Sequence, residues 1–278
     1  MPSDAPHLGP MLLLLGAVAL LLLSMVLSLL RLRRPTNALR LWAKSSLYWA
    51  VCLGLAALIW HGLSHRSLLP SGDNFEALGA VGLLLVGFIL YVQGVRPIPA
   101  LDLFLLPLAV LMLLCAVIFG RIKPEAYHPD NLWAWMHPLC SYAGALAFAI
   151  AAAGGCMYLI LASRLRKKSP LGGPDLGSLE RLERVNHSAA ALGFALLTLG
   201  MVTGLMIIRR GAPTRMGPHW LASPKVLLAF SVWVVYALAL HTPISPALRG
   251  RKSAMLSILG FALMFGTIIA VQFMPGSR

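Results

Sequence analysis

Apolar residues along this chain run in long blocks, broken by short clusters of Arg, Lys, Pro, Gly and Asn. Leu8–Leu30 holds no ionisable side chain at all. Such a block is apolar around its whole circumference, as a helix immersed in hydrocarbon is. Reading each block against its breakers predicts eight helices: Leu8–Leu30, Lys44–Leu63, Phe75–Gln93, Pro99–Phe119, Leu132–Ser163, Val185–Ile208, Pro224–His241 and Ala254–Phe273. The fifth run exceeds the roughly 20 residues of a perpendicular span, so one end should project beyond the apolar layer. The expected fold is an all-α polytopic membrane protein of about eight transmembrane helices, a single helical domain over residues 1–278. No strong internal repeat is visible.

Composition agrees. Of 278 residues, 59% are hydrophobic and 12% charged, about half the usual charge of a soluble domain, with a mean hydropathy of +0.80. This excludes a soluble enzyme, a nucleic-acid binder and a soluble domain on a membrane anchor. The net charge of +14 is read as a topology signal rather than as a nucleic-acid footprint. With the N-terminus outside, fifteen of the 23 Lys and Arg fall on the cytoplasmic side, so both termini are expected outside. The first helix lacks a basic flank before it and a small-residue cleavage pattern after it, and reads as an N-out span rather than a signal peptide. The loop from Arg164 to Arg184 ends in Ser178-Leu-Glu-Arg-Leu-Glu-Arg, which suits a short helical turn capped by Ser178. Cys52, Cys115, Cys140 and Cys156 lie in apolar runs without a CxxC, so neither a disulfide framework nor a zinc site is expected.

One outer loop runs against the charge bias. Arg209, Arg210, Arg215 and Lys225 cluster there without an acidic neighbour, which is either scatter in a weak rule or an anion-binding patch. Ionisable groups within spans are costly and usually functional. Asp102 is the one acid read as lying inside a span. His61, His137 and His241 lie in or at the ends of spans, and imidazole is a common axial ligand of haem iron. On the expected topology, His61 and His137 lie toward the outer face and His241 near the cytoplasmic face. Below His137, the stripe Ser141, Gly144, Ala145 and Phe148 leaves room for close helix packing or for a flat ligand. Trp133 and Trp135 suit an aromatic belt, and Gly200-Met-Val-Thr-Gly204 is a GxxxG packing motif. There is no paired intramembrane carboxylate and no nucleophile beside a base, so no independent catalytic constellation is seen.

The run Trp135-Met-His-Pro-Leu-Cys-Ser-Tyr-Ala-Gly-Ala-Leu-Ala-Phe148 and the stretch from Leu179 through Gly193-Phe-Ala-Leu-Leu-Thr-Leu-Gly200 resemble the CcsA/ResC cytochrome c assembly proteins and their HemX-like relatives. Trp220, Ser223-Pro-Lys225, Trp233-Val-Val-Tyr236 and Leu240-His241 are similar to that family's tryptophan-rich loop and following helix, and Asn74-Phe-Glu-Ala-Leu78 to the opening of its third helix. The similarity spans about residues 60–270. It implies a haem-handling protein of the inner (plasma) membrane, acting in cytochrome c maturation on non-covalent haem b. It further implies His137 as an outer ligand to haem iron beneath the loop carrying Trp220 and His241 as an inner site; the family's second outer histidine being absent, His61 is the expected partner of His137, ahead of His219 and His65. Other assembly proteins or apocytochrome c are the implied partners, besides the lipid bilayer. Two departures point to the shorter HemX-like branch: Ser223 stands where the family carries aspartate, and the family's C-terminal His-Ser-Tyr has no counterpart before Arg278. Two other readings stand beside it. One is a regulatory or scaffolding protein of haem biosynthesis or respiratory assembly that ligates no haem, and the other is a secondary transporter, which repeated halves and broken helices would mark.

Overall fold

In a computed structural model of the chain, every apolar block is an α-helix, and no strand occurs among the described residues. The structure describes residues 8–34, 36–65, 74–95, 98, 100–120, 132–167, 176–209, 224–241 and 250–273. The helices are α1 (Leu8–Arg33), α2 (Asn37–His65), α3 (Asn74–Val95), α4 (Leu101–Phe119), α5 (Leu132–Arg166), α6 (Leu179–Arg209), α7 (Pro224–Leu240) and α8 (Arg251–Phe273).

Two helices start more than a full turn earlier than hydropathy alone places them, and each of these starts has a polar cause. At α2, the carbonyl of Thr36 accepts from Arg40 N–H at 3.3 Å and its hydroxyl from Leu39 N–H at 3.4 Å, the role Thr plays at an N-cap. At α6, Ser178 Oγ accepts from Arg181 N–H at 3.3 Å, and Arg184 pairs with Glu180 at 2.7 Å across one exposed turn. The short turn expected in the loop is therefore the first turn of a continuous 31-residue helix.

Seven of these helices are long and apolar enough to cross a bilayer. The exception is α7, whose 17 residues rise about 26 Å at 1.5 Å per residue, short of a hydrocarbon core of about 30 Å. The eight expected spans thus become seven of full length and one short apolar helix.

The chain divides into two compact units, residues 1–128 with 171–176, and residues 129–170 with 177–278. In the first, α1 packs on α2, α2 on α3, α3 on α4, and α4 closes back on α1. The second closes in the same cyclic order through α5, α6, α7 and α8.

Within the first unit, α1 buries one stripe at helical spacing: Leu14, Ala17, Leu21, Ser24 and Ser28. Its opposite face exposes Leu15, Leu22, Val26 and Leu29. Leucine on both sides of a helix is what a hydrocarbon solvent permits, so inside and outside differ in packing rather than in polarity. Ser24 Oγ donates to the carbonyl of Ala43 on α2 at 3.1 Å, a polar tie between two apolar helices.

Within the second unit, α5 supplies the core. From Gly144 to Gly155 all but Leu146, Phe148 and Ile150 are Ala or Gly, and most of this stretch is buried. A Cβ added at Gly155 would lie 2.9 Å from the backbone oxygen of Ala254 on α8. Gly155→Ala is accordingly expected to lower stability by about 1–3 kcal/mol through overpacking against backbone. Thermal unfolding in detergent measures this against Gly87→Ala, a helical glycine whose Cβ would meet nothing within 4 Å.

Candidate functional site

His137 sits in the second turn of α5, half-buried, facing α6. Its Nδ1 lies 2.7 Å from the carbonyl oxygen of Gly200. A carbonyl only accepts, so Nδ1 carries the proton and donates, and the neutral ring presents Nε2 as an unprotonated lone pair. Histidines that ligate metals are held this way, with the second ring nitrogen donating to a fixed acceptor.

The glycines of α6 make the approach possible. A Cβ at Gly204 would lie 3.0 Å from both Cε1 and Nδ1 of the imidazole, and one at Gly200 would lie 3.0 Å from Ser141 Oγ. Ser141 Oγ in turn donates to the carbonyl of His137 at 2.7 Å. Further along, a Cβ at Gly193 would lie 2.5 Å from the ring of Phe148. Of the two uses open to the stripe Ser141, Gly144 and Phe148, close packing against α6 is the one realised along these positions. Pro138 follows His137 and has no N–H, so the hydrogen-bond ladder of α5 is interrupted one residue beyond the imidazole.

His241 repeats the tautomer in an exposed setting. It follows the last turn of α7, with Nδ1 2.7 Å from the carbonyl of Ala237, which again leaves Nε2 free. It belongs to the opposite end of the same unit. Phe148 and Tyr236 stack at 3.5 Å between ring centroids, Phe148 lying eleven residues beyond His137 and Tyr236 five before His241. At 1.5 Å per residue this sets the two histidines on the order of 24 Å apart along the helices.

His61 belongs to the first unit. It is 3% exposed, and its ring stands 4.6 Å from that of Phe75 on α3, the environment of a core histidine. Trp220 lies outside the described residues, as do Arg210, Arg215 and Ser223. Of the basic cluster after the GxxxG motif, Arg209 closes α6 as an exposed residue. The four cysteines are free thiols, and among the described residues no three His, Cys, Asp or Glu gather as a metal cluster.

Asp102 is buried at the start of α4, as expected, but it is not the only buried acid. Glu76, in the first turn of α3, is 3% exposed. Sequence reading took Asn74-Phe-Glu-Ala-Leu78 as the opening of the helix and missed the burial. The signal was there in Phe75, Ala77 and Leu78, all of which are buried, so this turn enters the unit on every face.

Comparison with known proteins agrees with this architecture. Residues 11–276 match the family described as Cytochrome C assembly protein. The cytochrome c biogenesis protein CcsA of Prochlorococcus marinus (strain MIT 9301) is 35% identical over 95 residues, 34% of this chain and 29% of that protein. CcsA of Pyropia yezoensis is 31% identical over 96 residues, with the same shares. The aligned part thus covers under a third of each relative. The solved structure of the cytochrome c haem lyase CcmF superposes on all of this chain with a TM-score of 0.64 and 18% identity, and 48% of CcmF is covered. That likeness establishes a shared helical fold.

Proposed function

Because this chain belongs to the cytochrome c assembly protein family, we propose that it takes up haem at His137, as cargo, and serves cytochrome c maturation in the inner membrane. The observation that carries this reading is the Nδ1–Gly200 hydrogen bond, which leaves Nε2 as a lone pair. Iron already held by four porphyrin nitrogens needs only an axial donor, so one oriented imidazole suffices where a bare ion would require a cluster. The iron supplies the coordination bond, while α5 and α6 orient the ring and fix its tautomer. Haem b, free of covalent attachment, suits a site with no paired cysteines. The excess of Lys and Arg on the other set of segments supports placing the His137 end outside and the His241 end toward the cytoplasm. His241 offers a second donor of the same chemistry, and His61, enclosed against Phe75, is the weakest of the three. Partners on this reading are other assembly proteins or apocytochrome c.

A regulatory role without haem ligation is favoured by one observation, Ser223 at the position where the family carries aspartate. Absorbance of the full chain, expressed with abundant haem and purified in detergent, separates the two. A Soret band is expected, and His137→Ala is expected to weaken haem binding by at least tenfold, with His241→Ala affecting a separate fraction. A colourless protein sinks the haem reading, and a band unchanged in His137→Ala moves the site elsewhere.

A further inference from the structure

Where α1 ends and α2 begins, the first unit is indented by an open cleft of about 410 Å³, within the range of roughly 300–1,000 Å³ typical of small-molecule sites. Arg31, Arg40, Lys44, Gln93 and Asp102 line it together with apolar residues such as Leu101. Asp102 is engaged within the protein. Its Oδ2 accepts from Ser28 Oγ at 3.1 Å and faces Arg31 Nη2 at 3.6 Å, and its Oδ1 accepts from the N–H of Leu103 at 3.1 Å. One carboxylate therefore neutralises one of three cations. Arg40 and Lys44, one turn apart on α2, have no carboxylate partner among the described residues. Among the described residues, the cavity thus holds two cations without a carboxylate partner beside apolar walls.

The surroundings say at what depth these cations lie. Trp42 and Trp49 of α2 are 68% and 65% exposed, and Tyr48 is exposed beside them. The Lys44 ammonium sits 6.0 Å from the Tyr48 ring centroid. Outward Trp and Tyr on a membrane helix mark the headgroup level, and basic pockets between membrane helices at that level suit anionic headgroups. We propose that this cavity binds the phosphate of an anionic phospholipid, with Arg40 and Lys44 as its cationic ligands and the lipid chains running along the exposed leucines of the unit. The assignment is independent of the haem reading.

Native mass spectrometry of the full chain in detergent, titrated with phosphatidylglycerol and with phosphatidylcholine, tests it. One phosphatidylglycerol is expected to bind with clear preference. Arg40→Gln/Lys44→Gln should bind it about 30-fold more weakly, two basic side chains each contributing about fivefold near a membrane surface. Arg40→Lys/Lys44→Arg should retain it. Asp102→Asn removes the opposing charge and should tighten binding, a gain that damage to the fold does not produce. Equal affinity of the double Gln variant and the wild type overturns the proposal, as does equal binding of the two lipids. Displacement by inorganic phosphate at comparable concentration makes this a free-phosphate site, and displacement by hemin makes it a carboxylate site; either overturns the lipid assignment. Lipid is read by mass and haem by absorbance, so failure of one leaves the other standing.

Discussion

Gly204→Val is expected to weaken haem binding by roughly 10- to 100-fold while leaving every proposed ligand in the chain. A Cβ at this position would lie 3.0 Å from Nδ1 and Cε1 of His137, and the two further methyl groups of valine add to the crowding. The imidazole then swings away from α6, the Nδ1–Gly200 bond of 2.7 Å breaks, and Nε2 loses its direction. Overpacking of this kind costs typically 1–3 kcal/mol, and each 1.4 kcal/mol is tenfold in affinity. Gly204→Ala, with a single methyl, should fall between wild type and valine. The measurement is a hemin titration of purified protein followed in the Soret region, beside thermal unfolding of the same samples. If Gly204→Val binds haem like wild type, the ring against α6 is not the ligand.

Arg31→Met should destabilise the first unit by about 3 kcal/mol, and Arg31→Met/Asp102→Leu should recover most of that loss. Asp102 is 5% exposed, so removing the guanidinium 3.6 Å away leaves a buried carboxylate whose remaining direct hydrogen-bond partners among the described residues are Ser28 and the Leu103 N–H. Breaking a fully buried pair costs about 3–5 kcal/mol. The low end applies because Arg31 is 30% exposed and shares part of its charge with water. Replacing both partners by apolar groups removes the stranded charge, and such exchanges are often neutral. Thermal unfolding in detergent of wild type, both single variants and the double closes the cycle. Additive losses would show that the pair does not act as a unit.

Most of the fold was legible because hydrophobicity alone encodes it. Leu8–Leu30 has no competing state in water, and the helix around it is found at Leu8–Arg33. What escaped detection was polar. Arg40 and Lys44 depress the hydropathy ahead of residue 44, so the first turns of α2 read as loop, although Thr36 caps them and their charges line a cavity. Glu180 to Arg184 did the same for α6. The ring order of four helices in each unit was not legible either, since all the helices share one apolar composition and packing partners are chosen by shape. Gly82 against Leu113 and Gly193 against Phe148 are such choices, set by where a Cβ is missing. At the candidate site, residue type singled out His137, but its tautomer depends on a carbonyl 63 positions away in sequence. Trp220 and the basic residues Arg210 and Arg215 lie outside the described residues and are read from sequence.

The carbonyl of Gly200 has one more consequence. By holding the Nδ1 hydrogen it makes the neutral imidazole a single-ended donor, and because the acceptor is backbone, no side-chain substitution at position 200 removes it.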